Sequence, residues 1–373
     1  MSDIANLSKG IGISKDQLSA DGEPCILYGE LYTKYKSETI KEVISKTNID
    51  NTKLVKSKSN DVIIPCSGET AEEIAIARCV LKDDILLGGD LNIIRLHRYD
   101  GSFMSYQLNG KRKYDIAKVA QGVSVVHLYG EHLKNIKTIN PSLNEQKKIA
   151  NLLSLLDERI STQNKIIDKL QSLIKGICNN YFLKLSHSQE MKSIRLGDIL
   201  KERNEYCCKD GTFVHGTLSK DGLFPKTERW NRDFLVKEEN KKYKITHLDD
   251  ICYNPANLKF GVICRNIYGD LIFSPIYVTF EVSKKVNIGF IELYLTNRNF
   301  IEKIRKFEQG TVYERMSVSP EDFLSYKIRI PSLSEQTFFY QKIQRLKNCS
   351  QNELEHLNLY KKLRQYLLRQ MFI

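Results

Sequence analysis

PSLNEQKKIANLLSLLDERI, Pro141–Ile160, has an echo in PSLSEQTFFYQKIQRLK, Pro331–Lys347. PSLxEQ recurs at an offset of 190 residues in a chain of 373, so the molecule is built twice. Residues 143–183 read as one helix, because stepping alternately by 4 and 3 gives Ile149, Leu153, Leu156, Ile160, Gln163, Ile167, Leu170, Ile174, Ile177 and Tyr181. Such a heptad seam predicts a helix packed lengthwise on another. Adding 190 keeps the register through Phe339, Ile343, Leu346, Ser350, Glu353, Leu357, Tyr360, Arg364, Leu367 and Met371. Ser142 with Glu145, and Ser332 with Glu335, have capping-box spacing at the two starts. Gln163 aligns with Glu353, so both seams turn polar near the middle. In an antiparallel pair those middles meet and can set register; facing solvent is the plainer alternative.

Working outward, each copy is a globular unit followed by a long helix. The expected organisation is a first unit at 1–140, a helix at 141–186, a second unit at 187–330 and a second helix at 331–373. Antiparallel helices carrying a unit at each end would make one chain imitate a symmetric dimer. Expected strands are Asp61–Pro65, Asp84–Gly89, Leu91–Leu96, Asp249–Asn254 and Pro275–Val282; residues 71–80 and 290–307 look helical. Between the units the match is weak: Asp3-Ile4 resembles Asp198-Ile199, Asp61–Pro65 resembles Asp250–Pro255, and Gln121-Gly122 resembles Gln309-Gly310. A repeated frame with divergent loops suits two different recognition tasks.

Net charge is +12, spread without a basic tail, which fits a folded surface meeting an anion. No run of 18 apolar residues and no signal-peptide pattern occurs, and nine cysteines lie scattered without a CxxC pair. A cytoplasmic protein with reduced thiols is expected, with no membrane and no metal. The motifs of catalysis are missing. NPAN, Asn254–Asn257, lacks the second proline and the aromatic of an amino-methyltransferase loop, and no GxxxxGK[ST] loop is present.

At this point the chain resembles the specificity subunit of a type I restriction–modification system. The resemblance is carried by Pro141–Phe182 and Pro331–Phe372, with their PSLxEQ entries and YF/MF ends, and by the opening Gly12–Tyr35. It implies an α+β fold: two mixed α/β target-recognition domains in a tandem pseudo-two-fold repeat, separated by two long antiparallel coiled-coil helices. It also implies that each domain reads one half of a split site on double-stranded DNA. The helices would space the halves and dock two methyltransferase subunits, with restriction subunits joining for cleavage. No cofactor is expected on this chain; S-adenosylmethionine, ATP and Mg belong to the partners. MSDIANLSKG begins almost at the LGDI-like position, whereas Met191–Ile199 gives the second domain a fuller lead-in, so the resemblance leaves open an N-terminal shortening that removes a first strand or a DNA-contacting lead-in.

Base edges call for paired donors and acceptors, and phosphates for Lys, Arg, Ser or Thr. In the first unit the candidates are Tyr32, Lys34, Tyr35, Ser67, Gly68, Thr70, Lys111, Arg112, Ser124 and His127. In the second they are Lys226, Arg229, Trp230, Arg232, Asn254, Asn257, Tyr313, Arg315 and Ser317. Core packing of the aromatics, ordinary turns and solvated charge runs compete with these readings. The seam residues Ile149, Leu153, Leu156, Ile160, Ile167, Leu170, Ile174, Phe339, Ile343, Leu346, Leu357 and Leu367 are candidates for the helix and subunit interface. Two other classes stay open from the residues alone: a helical scaffold without a DNA role, and a fused methyltransferase, which the absent cofactor and base-gripping loops oppose.

Overall fold

The computed structural model describes residues 1–122, 124–208, 212–226, 242–309 and 316–372. The chain divides into two compact units, one formed by 1–166 with 353–373 and the other by 167–352. Each unit therefore holds a globular lobe, half of one long helix and half of the other.

The first long helix is Leu143–His187 and the second Leu333–Gln370. Their starts are built alike. The Ser142 amide donates to the Glu145 carboxylate at 3.0 Å while the Glu145 amide donates back to the Ser142 hydroxyl at 3.4 Å; Ser332 and Glu335 repeat both distances. These reciprocal bonds satisfy amides that a helix start leaves orphaned.

The glutamine of PSLxEQ does more than continue the helix. Gln146 is 1% exposed, donates to Pro141 O at 2.8 Å and accepts the Asp100 amide at 2.9 Å. Asp100 is the N-cap of the lobe helix Gly101–Asn109. In the second unit Gln336 donates to Pro331 O at 2.9 Å and accepts the Asn287 amide at 3.0 Å. Asn287 in turn caps Ile288–Leu295. One amide side chain thus pins each long helix to the cap of a lobe helix.

The first lobe holds two five-stranded mixed sheets. One runs Ala5–Lys9, Leu91–Leu96, Asp61–Pro65, Arg78–Val80 and Thr39–Ile40; the other runs Leu18–Ser19, Ser45–Thr47, Glu23–Ile26, Leu86–Leu87 and Val55–Lys56. Asp61–Pro65 is buried throughout because both faces are covered. Val62 and Ile64 meet Met104, Leu108 and Ile116, while Ile63 meets Ile26, Leu31 and Ile93. The second lobe has a four-stranded sheet of Leu200–Glu202, Val278–Val282, Ile251–Tyr253 and Ile263–Arg265, and a five-stranded sheet. It adds the pair Lys192–Arg195 with Lys327–Ile330, which leads into the second long helix. In the first unit the corresponding residues 137–140 form no strand.

Several expected elements come out shorter. Asp84–Gly89 reduces to Leu86–Leu87 and Asp249–Asn254 to Ile251–Tyr253. Asp84 and Asp249 adopt φ of 60° and 70°, left-handed turn geometry that no strand accommodates. Pro275–Val282 begins only at Val278. Residues 71–80 are not one helix: Ala71–Ile74 stops, and Arg78–Val80 is a strand. Asn109 holds Ala77 between them, accepting its amide at 2.7 Å and donating to its carbonyl at 2.9 Å. Residues 290–307 split into Ile288–Leu295, Arg298–Ile304 and a 3-10 turn, because Asn297 caps a new start.

Within each unit the helix halves run antiparallel. In the first, Phe103 packs on Phe372 at 5.3 Å between centroids, Arg364 bridges Asp157 and Glu38, and Gln163 reaches Glu353. Gln163 donates to the Glu353 carbonyl at 3.2 Å and to its carboxylate, so the two polar seam positions do meet. In the second, Tyr181 stacks on Phe339 at 3.9 Å, and Phe182 contacts Phe290, Tyr294 and Phe339. The seam residues Ile149, Leu153, Leu156, Ile160, Ile167, Leu170, Ile174, Phe339, Ile343, Leu346, Leu357 and Leu367 are all buried or half-buried.

Candidate nucleic-acid interface

Each unit carries a loop closed at its base in the same way. Gln121 N–H donates to His127 O at 2.9 Å and His127 N–H returns to Gln121 O at 2.7 Å. Gln309 and Ser317 exchange the same pair at 2.9 and 3.0 Å. The next residue seats the loop on the segment after a central strand: Leu128 N–H on Cys66 O at 2.8 Å, and Val318 N–H on Pro255 O at 3.3 Å. The buried Tyr253 hydroxyl also donates to Val318 O, at 3.1 Å. The weak Gln-Gly resemblance therefore marks one repeated device with two different loops. Tyr313 and Arg315 lie outside the described residues, while Ser317 is half-buried in the bridge.

In the first unit the loop forms one wall of a recess. Val126–His127 pairs with Ser67–Gly68, and Tyr28, Tyr32, Glu69, Glu73 and Val125 complete the lining. The Tyr32 hydroxyl donates to Ser67 O at 2.9 Å, and burial pushes its pKa up, keeping the proton in that bond. A Cβ at Gly68 would stand 3.0 Å from the Tyr32 oxygen and 3.2 Å from Ile74 Cβ, so a glycine lets these walls approach. Thr70 accepts the Glu73 amide at 3.2 Å as cap of Ala71–Ile74. Beside the loop His127 stacks on Tyr129 at 6.1 Å, and the Lys9 ammonium lies 5.3 Å from the Tyr129 centroid. Ser124 and Tyr129 are exposed.

Tyr32, Ser67 and Gly68 thus line the recess together, with His127 paired to Ser67 and Thr70 capping the adjoining helix, while Ser124 is exposed on the loop. Tyr35 does not join them. The helix Glu30–Thr33 turns Leu31 and Tyr35 inward; Tyr35 is 6% exposed, accepts the Ile44 amide at 3.2 Å, and burial lifts its pKa to about 12. Lys34 is taken up by Glu30 at 2.7 Å and the Ser45 hydroxyl at 2.6 Å. Lys111 and Arg112 follow Gly110, which backs onto the end of the second long helix, and Arg112 pairs with Asp115 at 3.4 Å. Lys9 and Tyr28 were missed because only the folded chain brings them beside the loop, and Val125 because an apolar residue within the loop carries no polar signal.

In the second unit Lys226 is exposed after the strand Gly222–Pro225. Arg229, Trp230 and Arg232 lie outside the described residues. Asn254 is a turn-former: buried, it accepts the Ala256 amide at 3.1 Å and donates its own amide to Val262 O at 3.0 Å. Asn257, half-buried one turn on, keeps its side chain for other partners.

Among the described residues no group of three or more His, Cys, Asp or Glu could hold a metal. No helix among them is long and apolar enough to cross a membrane. What the described residues of the first loop and the two seats offer is hydroxyl, amide, imidazole and aromatic groups, which suits base edges and phosphates.

Residues 1–172 match the family model of the type I restriction modification DNA specificity domain. The type I restriction enzyme MjaVIII specificity subunit of Methanocaldococcus jannaschii is 23% identical over 371 residues, covering 92% of this chain and 85% of that protein. The type I restriction-modification system S subunit from M. genitalium has a similar structure: TM-score 0.61, 18% identity, 100% of this chain and 94% of that one covered. A chain solved in work on complex assembly and conformational transition of the type I R-M system aligns at TM-score 0.56 and 13% identity over 98% of this chain and 95% of its own.

Proposed function

Residues 1–172 match the type I restriction modification DNA specificity domain and most of the chain is similar to a type I specificity subunit, so we propose that this chain is such a subunit and that each of its two units reads one half of a split site on duplex DNA. The chain is a DNA sequence-recognition component and not itself a catalyst. The observation that carries the two-half reading is the repeated bridge, Gln121–His127 and Gln309–Ser317, which closes stretches of unlike sequence on like seats. On this reading the recognition domains are 1–140 and 187–330, with spacer helices at 141–186 and 331–373.

The long helices would fix the spacing of the two halves and dock two methyltransferase subunits. Support comes from apolar residues left exposed outside the seam: Leu152, Leu155, Leu359 and Leu363 in the first unit, Leu173 and Phe338 in the second. S-adenosylmethionine would bind those subunits, and ATP with Mg the restriction subunits, in the cytoplasm where the DNA lies. Sequencing of methylated bases in host cells with and without this chain tests the reading. A bipartite adenine motif that vanishes with the chain is expected; an unchanged methylation pattern would sink it.

A further inference from the structure

The second unit contains a basic recess whose described lining includes neither Gln309 nor Ser317. It measures about 560 Å³ and lies between the two long helices, the turn Pro255–Phe260 and the helix Arg298–Ile304. Lys175 and Lys347 enter it from the long helices, Lys259 and Phe260 from the turn, and Arg298 and Glu302 from the short helix. Among the described residues no carboxylate stands within 4.0 Å of Lys175, Lys259 or Lys347, and Arg298 has only Glu302, at 3.9 Å and largely in solvent. Four cations thus face a single carboxylate.

Helix packing does not require these charges. The 190-residue offset that relates the copies places Asp157 where the second unit has Lys347, and Gln365 where it has Lys175. Asp157 is consumed internally, held by the Tyr106 hydroxyl at 2.8 Å and by Arg364. The second unit carries an exposed lysine at the position where the first carries a paired acid.

The recess is also continuous with the candidate reading surface. Pro255 O seats the loop closed by Gln309 and Ser317, Asn257 follows on the same turn, and that turn ends in Lys259 and Phe260. Phe260 is 67% exposed, with the Lys259 ammonium 5.3 Å from its ring centroid. Gly261, at φ 81°, ends the turn in a conformation that costs a glycine little.

We propose that this recess holds backbone phosphate of duplex DNA next to the half-site read by the second unit, so that Lys175 and Lys347 make the long helices part of the DNA-binding surface. This deepens the DNA-reading function and rests on it. Each lysine that neutralises a phosphate releases condensed counterion, so its removal flattens the salt dependence of binding without altering sequence preference.

The test uses the full chain assembled with its methyltransferase subunits, on a target duplex and on a mixed-sequence duplex, over a range of NaCl. For K175Q/K347Q the slope of log K against log salt is expected to become shallower by about 1 per lysine, while the ratio of target to mixed-sequence affinity stays unchanged. K347Q alone should give half the change, which covers the case of a double variant that misfolds. K347D, the residue type of the other copy, should weaken binding further. An unchanged slope overturns the proposal. So does loss of the methyltransferase subunits, seen by light scattering, at an unchanged slope, because the recess then belongs to an acidic protein surface. If the wild-type complex prefers no sequence, the DNA-reading function fails instead, and the slope on mixed duplex still decides the recess.

Discussion

Gln146 and Gln336 show what single residues contribute. Each is a buried amide with a donor and an acceptor committed on opposite sides, so truncation orphans a backbone amide and a carbonyl together. Gln146→Ala and Gln336→Ala should each cost about 1–3 kcal/mol in urea unfolding, more than alanine at the exposed neighbour Lys147. The EQ dipeptide was visible in the sequence, but only its glutamate had a local rule; the glutamine's partners, Asp100 and Asn287, are tens of residues away. His247 is a second case. It bonds Glu205 at 3.0 Å and Asp270 at 2.8 Å, and although burial opposes its charge the two carboxylates prevail and raise its pKa. A raised folded value means stability that is complete below the unfolded pKa of about 6.5 and is lost as pH rises through the folded one. The melting temperature of the second unit should therefore fall as pH climbs from about 6 upward, and His247→Asn should flatten that part of the profile.

At the scale of elements, the long helices were the most legible part of the chain. A heptad pattern depends only on neighbours along one helix, and the antiparallel packing inside each unit follows it. The polar middle was legible too, since Gln163 and Glu353 share a seam position and bond to each other. Gln163→Leu alone should destabilise, because it leaves Glu353 half-buried without its donor. Adding Glu353→Leu should recover or exceed the wild-type melting temperature, since two apolar residues replace a costly polar pair. A double variant no more stable than the single one would show that the pair is not coupled. The shorter elements were less legible. Residues 71–80 carry a helical pattern that Asn109 interrupts through bonds to Ala77, and no periodicity reveals a clamp 32 residues away. Tyr32 and Tyr35 look interchangeable in YGELYTKY; only the turn of a four-residue helix sends one to the recess and the other to the core.

For the whole molecule, the duplication was plain in PSLxEQ, while the loop bases were only hinted at by two Gln-Gly pairs. Their equivalence rests on backbone bonds, to which side-chain identity is nearly blind. This has a functional consequence. Exchanging the residues between Gln121 and His127 for an unrelated loop should change one half of the methylated motif and leave the other half and the spacing intact, as read by sequencing of methylated bases. A change in both halves would contradict independent reading.

The membership of residues 353–373 in the first unit also bears on how the protein is made. Phe372 lies against Phe103, and Arg364 neutralises Asp157 and Glu38, so the first lobe lacks these contacts until residues 353–373 have been synthesised. At roughly 5–20 residues per second, the ribosome takes on the order of 10–40 s to cross the intervening segment. For that interval the nascent first lobe presents an uncovered aromatic surface and two uncompensated acids. Prematurely terminated chains would keep that surface permanently, marking them for chaperones and proteases before they could occupy DNA.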